Sequence, residues 1–335
     1  MRRVIALGLC LVAACADNFL PASAVVDLRV VGALVEVEGK PGRANPDPGD
    51  TIQVSNLVID RGFPPTTEPS PLSPPPLQWS LVACVPEPSV LALPICRNVL
   101  PCEGCVATPP EDPLAFPIVR FQVPSAAELK AAGATSVVLQ GAICANGPPA
   151  AIDAIIRFVT GETDVLDPCE DPNNEGRFIS VEILIEDQSD NAKPNLNPII
   201  ADVTLDSEPW PPPFDQGVPR DFPDSGCAGF VDENMALRAG GPVSIIELTA
   251  TSDSFQQYLV NDMFVTEEMQ VSWLADGGGF EFSFSFITDP ARTAPILWAP
   301  PGFASPGGRV VRFNFLLRDG RGGIDWVDRG LCVLP

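Results

Sequence analysis

From Val25 onward, apolar side chains recur at every second position in short runs, and each run stops at a cluster of Pro, Gly, Asp or Asn. Successive side chains of an extended chain point to opposite faces, so this alternation predicts half-buried β-strands. Strands are predicted at 26–37, 51–59, 77–84, 117–123, 136–144, 178–186 and 198–205. A second series is predicted at 242–251, 269–275, 280–288, 296–298, 309–317 and 324–334. Within it, Phe280, Phe282, Phe284 and Phe286 alternate with Glu281, Ser283 and Ser285, which predicts one buried aromatic face of a strand. Trp79, Trp273, Trp298 and Trp326 are expected in or near the core. The one good helix signal is Ser125 followed by Glu128, a capping box leading into an alanine-rich stretch. Residues 150–159 fit a helix or a strand.

Composition sharpens this to an all-β fold. The chain of 335 residues holds 39 prolines and 27 glycines, and proline removes an amide donor and clashes inside helices. Its 45% hydrophobic content argues against a disordered chain. The length suggests two domains. The run Glu208-Pro209-Trp210-Pro211-Pro212-Pro213 favours stiff polyproline II, which sets a first domain at 26–207, a Pro-rich linker at 208–224 and a second domain at 225–335. The proline-rich insertion 63–76 is expected to be a stiff surface loop.

The halves echo one another. Gly49 to Val54 and then Leu77 to Leu81, with Trp79, match Gly240 to Ile245 and then Met269 to Leu274, with Trp273. Each half then closes on a strand, an acidic turn and a strand: 181–185 with 199–205, and 310–317 with 324–333. This plan resembles tandem immunoglobulin-like β-sandwiches of the polycystic-kidney-disease or cadherin-like kind, the first copy carrying long insertions and a short helix. The resemblance implies a Trp on a middle strand filling the space between two sheets.

Arg2 and Arg3 precede an apolar run from Val4 to Val12, the pattern of an export signal and too short to span a bilayer. Val12-Ala13-Ala14-Cys15 resembles a bacterial lipobox. That resemblance implies a signal peptide at 1–14, a palmitate-bearing lipid on Cys15, a tether over 15–25 and, with Ala16 next, residence in the outer membrane. Cleavage after Ala22-Ser23-Ala24 is the alternative, giving a secreted chain.

In an exported chain the cysteines read as disulfides. Cys84 with Cys96 and Cys144 with Cys169 are paired by proximity, though other connectivities remain open. Cys227 precedes the first strand of the second domain and Cys332 lies in its last, strands that often neighbour one another in a sandwich, so these two are expected to bond. Cys102-Glu103-Gly104-Cys105 has redox or zinc spacing, but its glutamate opposes a lowered thiol pKa and no second pair exists, so a structural disulfide is expected.

A formal charge of −23 disfavours nucleic acid as a partner, and the absence of histidine removes histidine-dependent triads and imidazole ligands. Glu186, Asp187 and Asp190, or Asp319, Asp325 and Asp328, are weak Ca²⁺ candidates because neither group has loop spacing for that ion. Asp276 with Glu281 is the pair a carboxylate-dependent glycan hydrolase would use. The expectation is a non-catalytic, lipid-anchored envelope protein that binds or spaces another envelope protein or glycan, without cofactor or metal. The alternatives are that hydrolase and a secreted adhesion repeat stiffened by Ca²⁺.

Overall fold

The computed structural model describes residues 22–25, 27–59, 77–87, 94–106, 117–145, 147–186, 194–210, 236–260, 263–288 and 292–335. The export signal, Cys15, the insertion 63–76, most of the proline run and Cys227 lie outside the described residues.

The first part of the chain runs β1 (Arg29–Val37), β2 (Thr51–Ile59), β3 (Leu77–Glu87), β4 (Ile95–Leu100), β5 (Cys102–Glu103), β6 (Ile118–Gln122), α1 (Ala126–Ala132), β7 (Ser136–Ala145), α2 (Ile152–Val159) and β8 (Gly176–Leu184). It makes two sheets, ordered β1-β2-β6-β5 and β4-β3-β7-β8. Their alternate residues meet in one core: Ile52, Val54, Val119 and Phe121 from one sheet, Leu81, Leu139, Ile143 and Ile179 from the other. Each such side chain contributes about 1.5–3 kcal/mol on burial. The Ser125–Glu128 capping box forms as expected, and Gly133 ends α1 in the left-handed conformation. Residues 152–159 resolve as a helix whose Ile155 and Val159 lie on the outer side of β3 and β7. That cover explains why β7 is buried along its whole length.

The second part runs β9 (Ile200–Leu205), β10 (Glu208–Pro209), β11 (Ala236–Arg238), β12 (Ser244–Ala250), β13 (Gln257–Val260), β14 (Met263–Thr266), β15 (Met269–Ala275), β16 (Gly279–Phe280), β17 (Phe284–Ile287), β18 (Thr293–Ala299), β19 (Arg309–Arg318) and β20 (Ile324–Leu334). The sheets are β10-β9-β12-β18-β16 and β11-β20-β19-β15-β17, with β13-β14 a separate hairpin. Trp273, Trp298, Phe313 and Phe315 are fully buried between them. The wiring β1-β2-β6 over β3-β7-β8 recurs as β9-β12-β18 over β15-β19-β20. Each is a pair of sheets facing one another over a shared core, the all-β sandwich that the alternation predicts.

Three expectations about the join change. Residues 198–205 do not close a hairpin with 178–186: β8 pairs with β7, whereas β9 pairs with β12. The strand expected at the end of the first domain therefore opens the second sandwich, its Val203 and Leu205 facing that core. The spacer assigned from residue 208 is also displaced. Glu208 and Pro209 pair with β9, and Trp210 enters the second core at 3% exposure, donating from Nε1 to the Gly330 carbonyl at 3.1 Å. The gain from burying an indole outweighs the stiffness of its proline neighbours.

The two sheet pairs meet along a packed seam. Val25, Leu57 and Ile59 share a buried cluster with Leu274, Leu316 and Ile324, and Trp326 packs at its margin. Gly32 lies so near Ile324 and Leu316 that a Cβ there would sit 2.5 Å from the Ile324 Cδ1. Asn197 stitches both sides, donating from Nδ2 to the Val35 carbonyl at 2.9 Å and accepting the Ile324 N–H on Oδ1 at 3.1 Å. Fully buried Asn195 donates from Nδ2 to Asp319 Oδ2 at 2.9 Å, while its backbone carbonyl accepts from Ala44 N–H at 2.9 Å.

Candidate binding surface

The last two phenylalanines of the row, Phe284 and Phe286, lie on β17, the last described strand of its sheet. Antiparallel ladders alternate residues that bond to the neighbouring strand with residues whose amides point away. Trp273 N–H donates to the Ser283 carbonyl at 3.0 Å, and the register pairs Val271 with Ser285 and Met269 with Ile287. Ser283, Ser285 and Ile287 thus turn their backbone groups to β15. Phe284 and Phe286 turn theirs away from β15, where no described strand pairs with them.

The side chains follow the same parity, and the expectation of a buried aromatic face is overturned. Phe282, Phe284 and Phe286 are 60%, 52% and 53% exposed. Only Phe280 packs inward, edge-on to Phe313 at 6.1 Å. The cause is a change of sheet: Phe280 pairs with Trp298, while Phe284 pairs with Ser272 across the sandwich. The connection at 281–283 shifts the inward parity from even to odd positions. Ser285 then faces the core and accepts the Trp273 indole N–H at 3.0 Å. That acceptor was the legible signal, because a buried tryptophan needs a partner for its N–H. On the outside, the rings of Phe284 and Phe286 meet edge-on at 5.7 Å.

Glu281 donates its N–H to the Leu297 carbonyl at 3.0 Å, and both residues are exposed, as is Ile245 opposite Leu297. Glu268, also exposed, precedes Met269, the partner of Ile287. An exposed carboxylate therefore stands at each end of the phenylalanine row. Arg318, two strands in on the same sheet, is committed to Ser272 Oγ at 2.7 Å and to the Val31 carbonyl. The β13-β14 hairpin carries another apolar exposure at Met263 and Phe264, and its base is held by Arg321, which bonds Glu267 at 2.6 Å and lies over the Tyr258 ring.

The other candidate residues serve the fold. Asp276 faces inward, accepts the Arg312 N–H at 2.9 Å and is held above the usual carboxylate range by burial. Glu281, its supposed catalytic partner, points outward into water. Asp319 accepts N–H groups from Arg321 and Gly323, and Asp325 accepts them from Ile200 and Trp326. Burial raises the pKa of both. Asp328 lies opposite Asn314 on β20, and Glu186 accepts the Asn195 N–H at 3.1 Å. Asp187 and Asp190 lie outside the described residues. Among the described residues no three His, Cys, Asp or Glu side chains group to hold a metal ion.

Cys84 is bonded to Cys96, Cys144 to Cys169 and Cys102 to Cys105. Cys332 is also in a disulfide, and the expected partner, Cys227, lies outside the described residues. In the Cys102–Cys105 loop, Gly104 has φ 75°, and a Cβ there would strike the Ile118 carbonyl at 2.5 Å. Its own carbonyl accepts the Trp79 indole N–H at 2.8 Å, so the loop closes the end of the first core. Disulfides persist outside reducing compartments and fit an extracellular or envelope location. Among the described residues, no helix is long and apolar enough to cross a membrane.

These features define a disulfide-bonded, all-β sandwich protein with one aromatic, acid-flanked open edge. No family model matches the chain, and no curated protein matches it in sequence. The crystal structure of dimeric latent PorU from Porphyromonas gingivalis is similar over 92% of this chain and 20% of that one, with 9% identity and a TM-score of 0.21. The chain thus spans about a fifth of that protein's length.

Proposed function

We propose that this is an exported cell-envelope protein, lipid-anchored through Cys15 to the outer membrane, that acts without catalysis by binding another envelope component. The tandem sandwiches belong, on this reading, to the polycystic-kidney-disease or cadherin-like kind. The observation that carries the binding role is the exposed row Phe282, Phe284 and Phe286. Three half-exposed rings on one edge leave apolar area in water that soluble surfaces ordinarily bury, and such patches mark contact sites. The acidic surface keeps the displayed chain soluble while that edge stays available.

The test uses the full chain in an envelope-bearing bacterial host. A photo-crosslinking side chain replaces Phe284, with the same group at exposed Glu162 as the control. One discrete adduct from position 284 and none from 162 is expected; equal labelling from both positions refutes the binding surface. Mass spectrometry of the mature N-terminus is expected to find a diacylated or triacylated Cys15. An unmodified peptide starting at Val25 refutes the anchor.

A further inference from the structure

We propose that the partner enters as an added strand: an extended cationic segment that pairs antiparallel with the open edge of β17 and lays apolar side chains on Phe284 and Phe286. The proposal rests on the binding-surface reading above and names the partner's chemistry.

Backbone, side chains and charge each contribute. The outward N–H and C=O groups of Phe284 and Phe286 form a short row that no described strand pairs with, which an extended peptide satisfies by strand addition. Main-chain bonding of this kind fixes register, and alternate side chains supply specificity. On the outer face, two rings in edge-on contact at 5.7 Å give an added strand an apolar neighbour at each alternate position. Glu281 and Glu268 stand at the two ends of the row, and Arg318, two strands in, keeps its positive charge while donating to Ser272 and Val31. Two exposed carboxylates against this one guanidinium leave the local charge negative, within a chain of formal charge −23. Two copies of this chain would bring two such fields together across the edge, whereas a Lys- or Arg-bearing strand meets opposite charge.

The probe is a capped peptide, Lys-Val-Lys-Val-Lys-Val-Lys, added to the full chain, with a Glu-Val peptide of equal length as the control. Residue-resolved hydrogen exchange reads the edge directly. The expected result is at least tenfold slower exchange at the Phe284 and Phe286 amides, unchanged exchange at Ser285, affinity that falls with salt, and no binding of the acidic control. Phe284→Pro removes one outward N–H and leaves the β15 ladder, which runs through positions 283, 285 and 287, in place. Its fold is verified by tryptophan fluorescence, and it is expected to weaken the peptide at least tenfold. Phe284→Ser keeps the N–H and is expected to weaken it less.

Binding that needs the phenylalanines but leaves their amides unprotected overturns strand addition while the contact surface stands. Slow exchange at these amides in the free chain means that one of its own segments covers the edge, and overturns both readings. Concentration-dependent dimerisation abolished by Phe284→Lys identifies a second copy as the occupant and overturns the cationic partner. No binding of the cationic peptide overturns it as well.

Discussion

Replacing Asn197 by alanine tests whether the two sheet pairs are held as one unit. Its side chain donates to the Val35 carbonyl on β1 and accepts the Ile324 N–H on β20, at 2.9 and 3.1 Å. Alanine supplies neither group, and Ile324 is 4% exposed, so its amide has little access to water. An unsatisfied buried polar group costs about 1–3 kcal/mol. Asn197 is itself half-buried and water reaches part of the gap, which brings the expected total to about 2–3 kcal/mol. At roughly 2–4 °C per kcal/mol this lowers the first calorimetric transition by about 4–12 °C. The loss falls on the coupling between the sheet pairs, so a single transition is also expected to split in two. Calorimetry and urea unfolding followed by tryptophan fluorescence measure both effects. A change below about 0.5 kcal/mol, the size of an ordinary surface substitution, refutes the seam as the element that couples the sandwiches.

Trp210→Ala is expected to cost about 3–5 kcal/mol in urea unfolding despite its place in a proline run, because the indole packs edge-on to Phe313 at 5.0 Å; a near-neutral result contradicts its burial. The Cys102–Cys105 bridge spans a sequence separation of 3 and Cys144–Cys169 one of 25. Loop entropy then assigns about 2 kcal/mol to the first and about 3.5 kcal/mol to the second, so paired serine variants of Cys144 and Cys169 should lose more stability, and the reverse order contradicts that reasoning. The pH dependence follows from buried carboxyls. Burial raises Asp276, Asp319 and Asp325, so the folded chain holds protons that the unfolded chain releases once pH exceeds about 4. Their stabilising contribution is present in acid and is lost as pH rises through the folded pKa values; the melting temperature should therefore climb as pH falls toward about 4. Asp27, lowered through its arginine partners against the pull of its own burial, opposes this only at still lower pH. Salt screens the general repulsion of an acidic chain but not desolvation of buried groups, so the trend should survive at high salt; a melting temperature that does not rise between neutral pH and about pH 4 contradicts it.

Much of the fold was legible because one physical rule dominates it. Runs such as 51–59, 269–275 and 324–334 alternate cleanly, and the strands occupy those positions. The repeat was legible for the same reason, since Trp79 and Trp273 fall on matching strands of the two sheet pairs. What escaped depends on contacts distant in sequence. Leu205 pairs with Ile246 and not with its nearer neighbours, and nothing local distinguishes those choices. Trp210 was hidden by the prolines that follow it. Periodicity identified 280–288 as alternating but assigned the wrong face, because a chain that changes sheets at 281–283 changes inward parity as well. The candidate edge emerged from that error: its phenylalanines are conspicuous in the sequence, and only the register shows that they face water.

Residue-resolved hydrogen exchange on the free, full-length chain tests the open edge most directly. Amides of Ser285 and Ile287, bonded to β15, are expected to exchange slowly, and those of Phe284 and Phe286 at near-unprotected rates. Uniform protection along 284–287 would mean the edge is already occupied, and uniformly fast exchange would mean β17 is not a strand of the sandwich at all.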